Sequence, residues 1–306
     1  MKAMIVDIGS NTIKYDIFDG SISKSVGHRS IAAGIIRYIR DGIMSAEGVE
    51  TLCNILSAYR EDADRMGCSM YVFATASLRR CSEPQSVINE VRSRTGIEID
   101  LISGQRESAL SLSGMLQVTP HENDGLMMDM GGGSTELNRF SFEKSLFSVS
   151  CPFGALSLKN EFVSDVFPTK SEADAIYEYA KNVFALHSEN IRTKVLYMVG
   201  GSAKAIGKLL LHKALIEPSD VFSAFSADHV RELLKDIVPC EKNDADLLKE
   251  LFPDRYHVML PALCAYVALL DTCEAEYVCI SRGGIREGYL MERIYQQTEN
   301  QNERSQ

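Results

Sequence analysis

Two stretches far apart in the chain carry the same unit, and that repeat constrains the fold more than any other feature. The first reads MKAMIVDIGSNTIKYDIF from Met1, and the second reads GLMMDMGGGSTEL from Gly125. Each has the pattern of an apolar strand, an aspartate, one apolar residue, a turn of small residues, a hydroxyl and a further strand. Laid together, Asp7 falls on Asp129, Gly9 on Gly131, and Thr12 on Ser134 or Thr135. A unit repeated at this distance implies two half-structures of similar design facing each other.

The turns themselves suggest what they hold. Consecutive glycines let the backbone bring N–H groups close to a ligand without a Cβ in the way. Nests of backbone N–H groups bind anions, phosphate above all. Gly9, Ser10, Asn11 and Thr12 are the candidates in the first turn, and Gly131, Gly132, Gly133, Ser134 and Thr135 in the second. Two such turns would grip adjacent phosphates from opposite sides of a cleft. The alternative for either turn alone is a glycine-rich hairpin with a structural aspartate. Asp129 and Glu136 flank the second turn, and paired carboxylates beside bound phosphate commonly hold Mg²⁺. A third turn, Gly200-Gly201-Ser202, sits where a strand passes into a helix. It suits anion binding at a helix N-terminus, with close packing of helix on strand as the competing explanation.

Bulk properties narrow the function classes. At 306 residues the chain has room for two domains, each with its own core. A formal net charge of −10 argues against non-specific nucleic-acid binding. The same charge means that an anionic substrate must be met by a local positive field. None of the eight cysteines forms a C-x-x-C pair, which points to reduced, buried thiols in a cytoplasm. The six histidines show no metal-ligand spacing. No apolar signal segment opens the sequence, and the run 258–270 is too short to cross a bilayer and reads as a core helix. Neither nucleic acid nor membrane is therefore expected as a partner.

In order, periodicity and caps predict strands to about residue 26, then a helix capped by Ser45 with the stripe Val49, Leu52, Leu56, Tyr59, Ala63 and Met66, ended by Gly67. A strand over 70–74 precedes a helix with Ser82 and Gln85 as capping box, ended by Gly96. A strand over 97–102 runs into a helix capped by Ser103. A hairpin over 137–150, a helix over 171–187, a strand over 195–199 and a helix to His212 follow. Three more helices, a strand over 277–281 and a last helix over 285–295 complete the chain, with a polar, frayed tail after Gln296. This alternation predicts α/β architecture. Pro120 and Gly125 mark the domain boundary near residues 118–124. Glu107, in or just beyond a first helical turn, has two readings. It complements the helix macrodipole, or it is catalytic, lying at the carboxyl end of a strand. Periodicity favours the first.

Six motifs in order, DIGSNTIK, ATASLR, ISGQRESAL, DMGGGSTEL, VGGSAKAI and GGIREGYL, resemble those of the exopolyphosphatase/guanosine pentaphosphate phosphohydrolase (Ppx/GppA) family. The resemblance spans essentially the whole chain. It implies the actin-like ATPase superfold, with two similar α/β domains around a central cleft. The domains expected are 1–120 and 121–285, with a C-terminal helix over 286–306 that returns to the first. It implies that Glu107 is the general base, which reverses the preference drawn from periodicity. It further implies that Asp129 and Glu136, with Asp7 close by, hold Mg²⁺ or Mn²⁺. Arg79 and Lys14 then contact the phosphate chain, joined by Gly201 and Ser202. The expected reaction is hydrolysis of a terminal phosphoanhydride of polyphosphate, or of guanosine pentaphosphate to the tetraphosphate, with a homodimer admitted as the oligomeric state. A kinase of the same superfold and a ppGpp- or polyphosphate-binding sensor stay open as alternatives.

Three positions depart from the family pattern. Glu83 replaces an Asn, Ser202 a Thr, and Arg106 an acid. Glu83 would weaken a polyanion's grip near Arg79, whereas Arg106 would strengthen it.

Overall fold

A computed structural model describes residues 2–303, with side chains through Ile294. The chain divides into two units. One runs from the N-terminus to Gln117 and resumes at Ile285, and the other is Val118–Gly284.

The first unit is built on a sheet of β1 (Lys2–Ile8), β2 (Ile13–Asp19), β3 (Ser25–Ile31), β6 (Ser69–Ala74) and β7 (Asp100–Leu101), in the order β3-β2-β1-β6-β7. A two-stranded ribbon of β4 (Ile39–Arg40) and β5 (Ile43–Met44) stands apart from it. Strands β3, β2 and β1 form an antiparallel meander, and β6 and β7 run parallel to β1. Residues 3–6 of β1 are all apolar because both faces of the strand are covered. Met4, Val6 and Ile8 pack on the helices Ala46–Met66 and Pro84–Thr95. Ala3 and Ile5 face Leu110 of helix Gly104–Val118 and Tyr289 and Leu290 of helix Ile285–Glu303. The helix Ala46–Met66 matches its sequence pattern. Ser45 accepts from the Gly48 N–H, and Gly67 ends the helix at φ 64°. Met66 is the exception in the stripe and is exposed.

The second unit repeats the plan. β8 (Asp124–Met130), β9 (Thr135–Ser141) and β10 (Lys144–Cys151) form the meander, and β11 (Val195–Val199) and β13 (Tyr277–Ile280) run parallel to β8. Its one addition is β12 (Phe225–Ser226), antiparallel to β13 at the edge. The core is organised around helix Tyr256–Cys273, whose residues 258–270 are all buried. That helix is long and apolar enough to cross a membrane by composition, yet most of it is enclosed within the unit as a core helix would be. The two sheets share one plan, the duplication expected of the superfold that the resemblance implies.

Several local expectations change. Helix Pro84–Thr95 has no capping box: its cap is Glu83, and Pro84 occupies the first helical position, where its fixed φ suits a start. Gln85 donates instead to Asn89. Only Asp100 and Leu101 of the expected strand over 97–102 join the ladder, at the sheet edge beside Phe73 and Ala74. Helix Lys170–Ala185 is capped by Thr169 and Glu172 rather than by Ser171. The last helix continues to Glu303, through most of the tail expected to fray, and residues 304–306 lie outside the described residues.

Candidate active site

In the first unit the chain turns through residues 9–12, with Asp7 directly across from Lys14. The Gly9 N–H donates to Thr12 O at 3.0 Å, closing the turn. Behind it, the Ser10 and Asn11 carbonyls accept from the N–H groups of Ile36 (3.1 Å) and Gly34 (2.8 Å). The loop carbonyls are thus tied off, while the Ser10 and Asn11 amides have no acceptor among the described residues.

The second unit makes the same turn. Gly131 N–H donates to Ser134 O at 2.9 Å, with Met130 across from Thr135 and Asp129 across from Glu136. The registers settle the alignment of the repeat, because Thr12 corresponds to Ser134. Here too the loop carbonyls are held from behind. Ala155 N–H donates to Gly131 O, and Leu156 and Ser157 donate to Gly132 O, all at 3.0 Å. These are the leading amides of helix Ala155–Phe162, so that helix N-terminus anchors the loop. Gly154 must lack a side chain for this to happen, since a Cβ there would lie 2.5 Å from Gly131 O and 2.6 Å from the Gly132 carbonyl carbon. The amides of Gly132 and Gly133 have no acceptor among the described residues.

Thr135 leaves the candidate set. Its hydroxyl is fully buried and donates to Phe153 O at 2.7 Å, so it joins the loop to the helix start. Ser134 remains as the loop hydroxyl.

Asp7 also differs from expectation. Lys14 Nζ lies 3.3 Å from Asp7 Oδ2, and Arg286 reaches the same oxygen at 3.6 Å. Two cations already compensate this carboxylate, which removes the charge argument for a metal there. Lys14 is correspondingly engaged by Asp7. Arg286 also bonds Asp16, which accepts from His28 at 2.8 Å. Burial pushes the Asp16 carboxyl up, but the hydrogen bond from His28 and the Arg286 charge outweigh it and hold the group well below the usual carboxylate range. Arg286 escaped notice in the sequence, although a lone arginine in GGIREGYL was a visible signal.

Arg79 and Glu107 are brought together. Arg79 Nη1 donates to Glu107 Oε2 at 2.7 Å and to Ile102 O at 3.0 Å. The pair is largely sheltered, with side chains 24% and 14% exposed. Glu83 is exposed and makes no ion pair with Arg79. Arg106, expected to add to the grip on a polyanion, instead pairs with Asp100 and Glu292.

The third turn carries a cation that sequence reasoning missed. Gly200 has φ 95°, and a Cβ on it would stand 3.0 Å from Asp129 Oδ1. Gly201 leaves room for Arg255, whose Nη1 would be 2.3 Å from a Cβ there. Space for a guanidinium, beyond packing of helix on strand, is therefore what this glycine provides. Helix Gly200–His212 starts with Val199 as cap and no capping side chain, and Ser202 is buried in its first turn. Arg255 has no ion-pair or side-chain hydrogen-bond partner among the described residues, and burial pushes its guanidinium pKa down against the opposing charge of Asp254. A half-buried cation beside uncapped helix amides favours an anion. Only a contact between segments distant in the chain reveals it.

No three His, Cys, Asp or Glu side chains gather as a metal-ligand set among the described residues. The donor chemistry of Asp129 and Glu136 nevertheless fits Mg²⁺. They are facing carboxylates at a phosphate-type loop, and Mg²⁺ usually takes one or two protein carboxylates and completes its shell with water and phosphate. Ser150 donates to Glu136 at 2.9 Å and orients it.

The chain is similar to known proteins over nearly its whole length. Exopolyphosphatase 1 of Mycobacterium tuberculosis is 23% identical over 310 residues, covering 96% of this chain and 88% of that protein. The crystal structure of an exopolyphosphatase from Cytophaga hutchinsonii superposes with a TM-score of 0.82 at 20% identity, covering 95% of this chain and 97% of that one. The Ppx/GppA family member of Aquifex aeolicus gives 0.79 at 19% identity, covering 97% and 98%. The model of the Ppx/GppA phosphatase family matches residues 34–297, and the chain belongs to that family.

Proposed function

We propose that the chain releases inorganic phosphate from the end of polyphosphate, with guanosine pentaphosphate as a second substrate that yields the tetraphosphate. The observation that carries this reading is the Arg79–Glu107 pair, a sheltered carboxylate held by an arginine at a strand-to-helix junction. Phosphoryl transfer depends chiefly on positioning and charge neutralisation. The amides of the two turns, Arg79 and Arg255 would bind the oxygens of the phosphate chain, with Ser134, Gly201 and Ser202 contributing beside them. Glu107 would accept a proton from water as its oxygen bonds to the terminal phosphorus. The bridging P–O bond breaks, and the shortened chain leaves with the bridging oxygen. Asp129 and Glu136 would hold Mg²⁺, or Mn²⁺ in its place, whose charge offsets that of the phosphate oxygens. The cysteines are all free, which fits a reducing cytoplasm.

Phosphate release from polyphosphate, guanosine pentaphosphate and ATP, measured in parallel with Mg²⁺, tests the reading. Turnover should be fastest with polyphosphate and slight with ATP. Phosphate transfer from ATP to an alcohol, with no release from polyphosphate, would replace it with the kinase alternative.

A further inference from the structure

We propose that Arg106 is a positioning residue for Glu107, locking the first turn of helix Gly104–Val118 between Asp100 and Glu292. The inference rests on Glu107 being the base.

Arg106 lies in that first turn, where its N–H donates to Ser103 Oγ at 3.2 Å. Its guanidinium donates to both oxygens of Asp100, at 3.0 and 2.9 Å, and also bonds Glu292 on the C-terminal helix. A bidentate fork fixes orientation as well as distance, which a single contact does not. Asp100 is held in turn by the Tyr289 hydroxyl at 3.1 Å and by Arg293 at 2.6 Å. Both guanidiniums lie over the Tyr289 ring. Two carboxylates and two guanidiniums thus balance in one partly buried cluster.

A second contact joins the same two helices. A Cβ on Gly288 would fall 1.9 Å from Leu110 O, so the backbones meet there directly. The Gly288 crossing and the Arg106 clamp together hold the helix that carries Glu107. Successive helical residues point about 100° apart, so Arg106 anchors the turn from another side while Glu107 bonds Arg79. An acid at this position would face Asp100 and Glu292 with like charge. Arg106 and Glu292 therefore form a matched pair in this chain.

The test uses the full chain, polyphosphate and Mg²⁺, with Arg106→Gln, Arg106→Lys, Glu292→Gln and the Arg106→Gln/Glu292→Gln double variant. Displacement of a reacting group by about 1 Å can lower a rate roughly a hundredfold. Arg106→Gln should lower kcat about tenfold or more with KM within about twofold, and exchange of the amides at residues 104–108 should quicken. Arg106→Lys should recover part of the rate, because it keeps the charge but loses the fork. The double variant should be no slower than Arg106→Gln alone. If Arg106→Gln does not fold, Glu292→Gln removes the same contact from the opposite helix. A kcat within about twofold of wild type in the folded variant overturns the proposal, as does a fall in melting temperature alone. Glu107→Gln, assayed beside them, separates the two ideas: near-normal turnover there overturns the base assignment itself.

Discussion

Lys14 and Glu136 stand at the same register position of the two hairpins, each directly across from the strand-end aspartate, and they carry opposite charges. The first hairpin is therefore balanced within itself, Asp7 against Lys14, with Arg286 added. The second places two carboxylates across from each other, a cross-strand pairing that is ordinarily unfavourable. The repeat has kept its backbone and divided its electrostatics. One turn carries an ion pair of its own, and the other sets two carboxylates at the paired positions, a donor set that suits a divalent cation.

Mg²⁺ should accordingly stabilise the folded protein as well as support turnover. At about a hundred times its dissociation constant, a ligand specific for the native state adds about 2.7 kcal/mol. Melting curves in Mg²⁺ and in EDTA should differ by several degrees, and Glu136→Gln should remove most of the difference. Superimposable wild-type curves in the two buffers would rule out this site.

Gly154→Ala should damage the loop rather than the helix it precedes. Its φ of −142° is extended and open to any residue, so the obstacle is steric. The new methyl meets backbone atoms of Gly131, Gly132 and Gly133, which cannot swing away as a side chain would. Overpacking of this kind costs about 1–3 kcal/mol. A raised KM for polyphosphate should accompany the lower melting temperature. An unchanged KM would mean that the loop geometry is not what binds the chain.

What was legible in the sequence was mostly local. The Asp7 and Asp129 turns are strand-turn-strand units a few residues long, so their likeness and their glycine requirement could be read directly. The helix Ala46–Met66 carries both its caps and its buried stripe within one segment. Contacts between distant segments were not legible. Arg255 against Gly201, Arg286 on Asp7 and Asp16, and Arg106 between Asp100 and Glu292 all depend on tertiary placement. The same limit explains Thr135. Its hydroxyl looked like a loop donor until the fold set Phe153 O beside it.

Arg255→Met should trade affinity for stability. Arg255 is a half-buried cation with no ion-pair partner among the described residues, an arrangement that is unfavourable in the ligand-free protein. Replacing it with an apolar side chain of similar reach should therefore raise the melting temperature while raising KM for polyphosphate. The KM difference should shrink at high salt, where the wild-type cation is screened. A lower melting temperature with normal KM would make Arg255 a packing residue instead.

Asp16→Asn should cost roughly 3 kcal/mol near neutral pH, the lower end for breaking a buried pair, because Asp7 still faces Arg286. The pH dependence has a definite sign. Asp16 is held below its ordinary value of 3.8, so its contribution is present above that pH and is lost as pH falls toward the folded value. The stability gap between wild type and variant should narrow below about 4. A gap that failed to narrow below about 4 would contradict the assignment of His28 and Arg286 as its stabilising partners.

Arg79 and Glu107 should prove unequal when removed one at a time. Arg79→Ala leaves a carboxylate only 14% exposed without the guanidinium that bonds it. Breaking one side of such a pair is more costly than neutralising the acid, since the remaining charge stays desolvated. In Glu107→Gln the Arg79 guanidinium keeps Ile102 O at 3.0 Å and can donate to the amide oxygen. Gln also suits the helix. Melting temperature should therefore fall further for Arg79→Ala than for Glu107→Gln, and the double variant should be no worse than Arg79→Ala alone. Activity should rank differently. Loss of the base costs roughly 10²–10⁴-fold in kcat, so Glu107→Gln should be nearly inactive while still binding polyphosphate. Arg79→Ala should raise KM and also lower kcat, because the base loses its orienting bond. Equal stability losses, together with near-normal turnover in Glu107→Gln, would reduce the pair to an ordinary structural ion pair.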